Sequence, residues 1–124
     1  MTESEGERTT GEMFAAELID QVRDPALKEG LDLVAGKYPG AIGAAWAAAD
    51  EAERLRMAVS NSVDEAIFRL LHAIDNAALE LRWVRSPGGE PVELAGSSDF
   101  DLAGEYISEG GWRDTYTQEP HYPY

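Results

Sequence analysis

The sequence predicts a mainly α fold, a small helical bundle with a C-terminal β-hairpin and a short terminal helix. Three observations lead to this prediction. Apolar residues recur at helical spacing from about residue 10 to residue 78. Apolar and charged residues then alternate on both sides of a Pro-Gly-Gly turn. With 124 residues, of which 44 % are hydrophobic, the chain has the size and apolar content of one folded domain.

We expect that domain to occupy most of the chain. Residues 1–9 are polar and acidic and are predicted to form a flexible tail. Residues 10–117 are predicted to form a single helical domain, with the hairpin at about 79–95. Residues 118–124 contain two prolines and are predicted to form a C-terminal tail.

Two helices are predicted before residue 40. The first begins near Thr10, and its apolar residues lie on or beside one stripe: Met13, Phe14, Ala16, Leu18, Ile19 and Val22. Asp24 and Pro25 are expected to end it and to start the second helix, because Asp is a good N-cap and Pro suits the first turn. The second helix carries apolar residues at spacings of four and three: Leu27, Leu31 and Val34.

An alanine-rich seam runs along residues 41–78. Its members lie three or four residues apart: Ala41, Ala45, Ala48, Ala52, Leu55, Val59, Ser62, Ala66, Leu70, Ala73 and Ala77. A second apolar stripe accompanies it: Ile42, Trp46, Met57, Ile67, Leu71 and Ile74. A helix that is apolar on two sides is expected at the centre of a bundle. Ser62 and Glu65 have the spacing of a capping box, so the segment is either one helix or two helices that meet at residues 60–62.

The hairpin and the last helix follow residue 78. Leu79, Leu81 and Trp83 alternate with charged residues before the turn, as in a half-buried strand. Pro91 suits the start of an edge strand. The last helix places four residues on one face and ends at two consecutive glycines: Leu102, Ala103, Tyr106, Ile107, Gly110 and Gly111.

The charge of the chain restricts its partners. Asp and Glu number 24 and Lys and Arg number 10, which gives a net charge of −14. Such a chain repels phosphate backbones, so we expect no nucleic-acid binding, and it favours a basic protein partner. The N-terminal residues lack the basic start and apolar run of a signal peptide, and no apolar run has membrane length. We therefore expect a cytoplasmic protein without membrane association.

Catalytic signals are sparse. The chain has no cysteine and therefore no disulfide, thiolate zinc site or cysteine nucleophile. It also lacks the nucleophile-elbow, Walker and dinucleotide-binding motifs, and we predict neither a metal nor a cofactor. The candidates for a small carboxylate/His enzyme site are Glu65, His72 and Asp75. A solvated polar helix face accounts for these residues more simply.

The last third of the chain predicts a binding surface. It holds six of the 11 aromatic residues from Phe100 onward, and its only basic residue after Ser86 is Arg113. Aromatic side chains act as interface anchors, and acidic residues around them select a basic partner. The predicted binding residues are Asp99, Asp101, Glu105, Trp112, Asp114 and Tyr116.

The predicted function is that of a small acidic, non-enzymatic binding protein. An inhibitor, immunity protein or antitoxin that neutralises a basic partner protein would have these properties. One alternative is a homodimeric structural or regulatory module that associates through the alanine-rich helix or the hairpin edge. A second alternative is the small carboxylate/His enzyme.

Overall fold

The computed structural model of the chain describes residues 8–84, 88–94 and 101–123. The elements in chain order are α1 (Thr10–Leu18), a π-helical turn (Ile19–Arg23), α2 (Asp24–Val34), α3 (Gly40–Ala48), α4 (Glu51–Asp75), β1 (Arg82–Trp83), β2 (Val92–Glu93), α5 (Leu102–Ile107) and α6 (Trp112–Tyr116). The fold is mainly α with a C-terminal hairpin and short final helices, so the predicted fold class is confirmed. The central element is α4, which packs against α2, the π-helical turn and α5.

The first two helices form one continuous helical path. Thr9 and Glu12 form a capping box at the start of α1, with the Thr9 hydroxyl 3.1 Å from the Glu12 backbone N. The second helix begins at Asp24 as predicted, but the expected end of the helical path there is wrong, because a π-helical turn joins α1 to α2 and the Asp24 N–H donates to the Ile19 carbonyl. Pro25 has no N–H to donate, and the wider turn lets the helix continue past it.

The segment from residue 41 to residue 78 is divided into two helices at Ala49 and Asp50. The Asp50 carboxylate accepts a 2.8 Å hydrogen bond from the Glu53 backbone N–H and caps α4. Both predicted alternatives, one helix throughout and a break at residues 60–62, are therefore wrong. At Ser62 the hydroxyl donates to the Ala58 carbonyl at 2.7 Å inside an uninterrupted helix, so its capping-box spacing is not used.

The predicted hairpin is a two-stranded antiparallel sheet. Arg82 pairs with Glu93 and Trp83 pairs with Val92, and the Arg82 Nε lies 2.6 Å from the Glu93 Oε2. These two pairs lie within the predicted 79–95 segment, whose residues 85–87 and 95 lie outside the described part of the chain. The hairpin packs against the bundle through half-buried leucines on both sides, Leu81 and Leu94.

Two apolar clusters stabilise the bundle. The first surrounds the C-terminal end of α4 and contains Val22, Ala73, Ile74, Leu79 and Leu102. The second joins α2, α3 and the N-terminal half of α4 and contains Leu33, Ile42, Trp46 and Met57. Between them, α4 buries three polar residues, Asn61, Asp64 and Glu65. The middle of the central helix is therefore polar on its inner side.

Many of the apolar residues that the sequence predicts to be buried are exposed. The expectation that the alanine-rich seam is packed from both sides is wrong between residues 41 and 66, where its members are exposed. In α2 the predicted stripe is also exposed, with Leu31 at 59 %, while Ala26 and Leu33 are buried instead. The reason is that α2 approaches α4 through Gly30, where an added Cβ would lie 3.7 Å from the Ser62 hydroxyl. None of the helices in the described part of the chain is long and apolar enough to cross a membrane.

Candidate protein-binding groove

An open groove of about 1000 Å³ runs between α4 and residues 112–122; we refer to it as the α4 groove. One wall is an apolar stripe of α4 residues four apart, namely Leu55, Val59 and Val63. These residues are 66 %, 68 % and 55 % exposed. The opposite wall contains Trp112, Tyr116, Pro120 and Tyr122. Both walls are apolar, and the groove is open to solvent.

A buried ion pair fixes the two walls relative to each other. The Arg113 Nη1 donates to the Asp64 Oδ2 at 2.8 Å, and both residues are 6 % exposed. The Tyr106 hydroxyl donates to the other Asp64 oxygen, also at 2.8 Å. Burial, together with the hydrogen bond to Asp64, raises the pKa of Tyr106 to about 12. One carboxylate of α4 therefore positions both α5 and α6.

The turn between α5 and α6 requires glycine. Gly110 has a φ of +75°, in the left-handed region that L side chains rarely adopt. At Gly111 an added Cβ would lie 2.2 Å from the Glu105 carbonyl oxygen, so a side chain cannot fit. The predicted helix stop at this Gly-Gly pair is thus a tight reversal that turns α6 toward the groove.

The chain after α6 returns to α4 and forms the outer end of the groove. The Ser60 hydroxyl donates to the Pro120 carbonyl at 3.2 Å, and the Tyr122 hydroxyl donates to the Glu53 carboxylate. Tyr122 also packs against the second apolar cluster. These contacts hold residues 120–122 against the N-terminal half of α4.

Two of the predicted binding residues line the groove. Trp112 is half-buried and also packs against the first apolar cluster, whereas Tyr116 is 78 % exposed. The predicted charge partner Asp114 follows Trp112 by two residues, but its carboxylate is already occupied. It accepts from the Gly110 N–H at 2.7 Å and lies 2.6 Å from the His121 Nε2. The Gly110 hydrogen bond and then the His121 contact lower the pKa of Asp114.

Asp101 and Glu105 were predicted to bind the partner, but they do not line the groove. The neighbouring Asp75 carboxyl raises the pKa of Asp101. Asp75 also accepts two 2.9 Å hydrogen bonds from backbone N–H groups at the start of α5. Glu105 is half-buried on α5, and Asp99 lies outside the described residues. Asp101 and Glu105 are therefore not part of this site.

Sequence reasoning missed the α4 wall and its ion pair. Helical spacing assigns Leu55 and Val59 to a packed seam, because it identifies a stripe without showing which way the stripe faces. Asp64 was not selected at all. The one available signal is Arg113, the single Lys or Arg after Ser86.

The candidate enzyme residues do not form a joint site. The carboxylate of Glu65 accepts from the Tyr38 hydroxyl at 3.0 Å, while the His72 Nε2 lies 2.9 Å from the Asn76 amide nitrogen. Asp75 binds the start of α5. The expected solvated face is also wrong at Glu65, which is 3 % exposed. Within residues 8–84, 88–94 and 101–123, no three His, Asp or Glu side chains are placed to hold a metal ion.

Comparison with known proteins gives no relative from which a function could be transferred. No protein-family model, curated protein or solved structure matches the chain. The α4 groove is therefore the basis for assigning a function.

Proposed function

We propose that the chain is a small acidic, non-enzymatic binding protein that holds a basic partner protein in the α4 groove. The observation that carries this proposal is the outward-facing apolar stripe formed by Leu55, Val59 and Val63. A continuous exposed apolar surface with polar surroundings is typical of a protein interaction site.

The dimensions of the groove fit a segment of a protein. The stripe from Leu55 to Val63 covers nine residues of helix, or about 12 Å along the axis. The volume of about 1000 Å³ lies at the upper end of small-molecule pockets, and the groove is open. Tyr116 lies on the opposite wall and is an exposed aromatic residue of the kind that anchors interfaces. These features favour an apolar helix or loop as the occupant.

The charge of the chain favours a basic partner. A net charge of −14 attracts cationic surfaces over several ångströms and accelerates their association. The apolar groove would supply most of the affinity, and the net negative charge of the chain would supply rate and selectivity. An inhibitor, immunity protein or antitoxin that blocks a basic enzyme would work in this way.

Capture with matched variants tests the proposal. Immobilised wild-type protein, V59D and V34D are incubated with extract from the source cells, and the bound proteins are identified. Val34 is a suitable control because it is 56 % exposed on α2 and does not line the groove. We expect wild type and V34D to retain the same basic protein and V59D to lose it. We also expect its association rate to fall as salt is raised.

Either of two results would contradict the proposal. One is equal retention of the partner by V59D and wild type. The other is a retained partner that is acidic, or whose association rate does not depend on salt.

A homodimeric module is the second candidate, and the exposure of the alanine-rich seam favours it. Small side chains on α3 and α4 would let the same surface of a second copy approach closely. Sedimentation of wild type and V59D over a range of concentrations tests this candidate. If wild type is a dimer and V59D is a monomer, the result supports this candidate. If wild type is still a monomer at concentrations on the order of tens of micromolar, the result excludes it.

A further inference from the structure

A second cavity, separate from the α4 groove, lies between α2, α4 and the loop before α3. It has a volume of about 410 Å³, within the range of small-molecule sites. Its polar lining comes from Glu29, Tyr38, Glu65 and Arg69. Its apolar lining comes from Pro39, Phe68 and Ile107. The proposed binding function makes no use of this cavity.

The charged groups of this cavity are ordered by one another. The Arg69 Nη2 donates to the Glu29 Oε1 at 3.1 Å, and the Tyr38 hydroxyl donates to the Glu65 Oε1 at 3.0 Å. Burial and then the nearby Glu65 carboxylate raise the pKa of Tyr38, so its hydroxyl remains a donor. These contacts join α2, α4 and the loop around the cavity.

Two polar atoms of this lining have hydrogen bonds left to make. Glu65 is 3 % exposed, and its Oε2 accepts no hydrogen bond from any residue that the structure describes. The Arg69 Nε likewise donates none within the same described ranges. The two atoms lie 3.7 Å apart, which is close enough for an ion pair but too far for a hydrogen bond. Buried polar groups are nearly always satisfied, so this adjacent acceptor and donor call for a partner.

We propose that this cavity binds a small neutral molecule carrying a carboxamide, with an N–H donor beside a carbonyl acceptor. Its N–H would donate to the Glu65 Oε2 and its carbonyl would accept from the Arg69 Nε. The apolar body would lie against Phe68 and Ile107. Both polar atoms are shielded from water, so the Arg69 side chain, which is 27 % exposed, shifts to admit the ligand. A carboxylate ligand is disfavoured, because it lacks the donor and meets two glutamates against one arginine.

Nuclear magnetic resonance with matched probes tests the site. Benzamide is titrated into ¹⁵N-labelled protein, with N,N-dimethylbenzamide and benzoate as controls that lack the N–H donor. We expect benzamide to shift the Arg69 Nε–H resonance and the backbone amides of Tyr38 and Phe68 to saturation. The two controls are expected to bind at least about tenfold more weakly, because one charge-assisted hydrogen bond is lost.

A variant adds a second readout. E65Q replaces the carboxylate by an amide of nearly the same shape, and we expect it to weaken benzamide by about tenfold. E51Q changes an exposed glutamate of α4 that lines neither this cavity nor the α4 groove, so it is the matched control and is expected to bind benzamide as wild type does. If E65Q does not fold, the three probes on wild-type protein still decide the question.

Three results would overturn the proposal. They are no saturable shift with benzamide, equal shifts with benzamide and N,N-dimethylbenzamide, or a crystal structure grown with benzamide in which only water contacts both atoms. None of them bears on the α4 groove, because none of the probes or variants alters its lining.

Discussion

The two faces of α4 reverse the usual relation between polarity and burial. Its inner face buries Asn61, Asp64 and Glu65 midway along the helix. Its outer face exposes Leu55 and Val59. In an ordinary amphipathic helix the apolar stripe is inside and the polar face is outside. The middle of α4 therefore makes polar contacts inside the bundle and leaves apolar side chains open to a partner outside it. The apolar packing of the helix lies toward its two ends.

The inner polar residues are tolerated because most of them are paired. Asp64 bonds Tyr106 and Arg113, and Glu65 bonds Tyr38. A buried charge without a partner is costly, so these contacts determine where α5, α6 and the loop before α3 must lie. The outer apolar residues have no such role in the bundle. The polar contacts inside the bundle thus position the walls of the α4 groove, and the exposed apolar residues of α4 line it.

Removal of the buried cation is expected to have the largest effect. R113M leaves the Asp64 carboxylate buried beside an apolar side chain and should lower the free energy of unfolding by about 3–5 kcal/mol. R56M is the control, because Arg56 pairs with Glu53 at 2.8 Å on the exposed surface and should cost at most about 1 kcal/mol. Urea denaturation measures both variants. Equal losses would show that the inner face does not depend on this pair.

Asn61 offers the opposite test of the inner face. It is 2 % exposed, and neither atom of its side-chain amide has a hydrogen bond within the described part of the chain. N61L replaces an unsatisfied amide by an apolar group of similar size and should raise the free energy of unfolding by about 1–3 kcal/mol. A destabilised N61L in urea denaturation would mean that the amide has a partner in solution.

The Tyr106 hydroxyl should contribute less than the Arg113 charge. Y106F removes one of the two bonds to Asp64 and should cost about 1–2 kcal/mol at neutral pH. Because folding raises the pKa of Tyr106 from 10.0 to about 12, its contribution is complete below pH 10 and is lost as pH rises through about 12.

The pH dependence gives this prediction a separate readout. In urea denaturation at pH 7 to 11, the difference between wild type and Y106F should shrink above pH 10. A difference that stays constant across this range would contradict the proposed bond to Asp64.

The outer face should tolerate charge with almost no loss of stability. V59D places a carboxylate on a side chain that is 68 % exposed, and the free energy of unfolding should change by no more than about 0.5 kcal/mol. M57A, two residues away on the inner face, should cost about 2–5 kcal/mol, because Met57 is 1 % exposed in the second apolar cluster. Thermal unfolding compares the two variants, and a V59D loss as large as that of M57A would place Val59 in the core.

The fold was predictable where local signals agree with one another. The hairpin follows from strict alternation around a Pro-Gly-Gly turn, and the reversal after α5 follows from Gly110 and Gly111. The break between α3 and α4 was not found, because Asp50 and Ser62 both carry capping signals and only packing selects between them. Local sequence also gives no indication that Pro25 is passed by a π-helical turn.

The groove was predictable in part for a different reason. Trp112 and Tyr116 stand out by residue type in an acidic segment and need no knowledge of packing. The α4 wall has the same spacing whether it faces inward or outward, so periodicity could not orient it. Its direction is set by long-range contacts, chiefly the bond of Asp64 to Arg113 across 49 positions of sequence.

Thiol labelling tests the reversed orientation of α4 most directly. The chain has no cysteine, so V59C and M57C each carry a single reactive group. We predict that the thiol at position 59 reacts at nearly the rate of the unfolded chain, while the thiol at position 57 reacts more than about a hundredfold more slowly. Equal rates at the two positions, or slower labelling at position 59, would contradict an outward-facing apolar stripe.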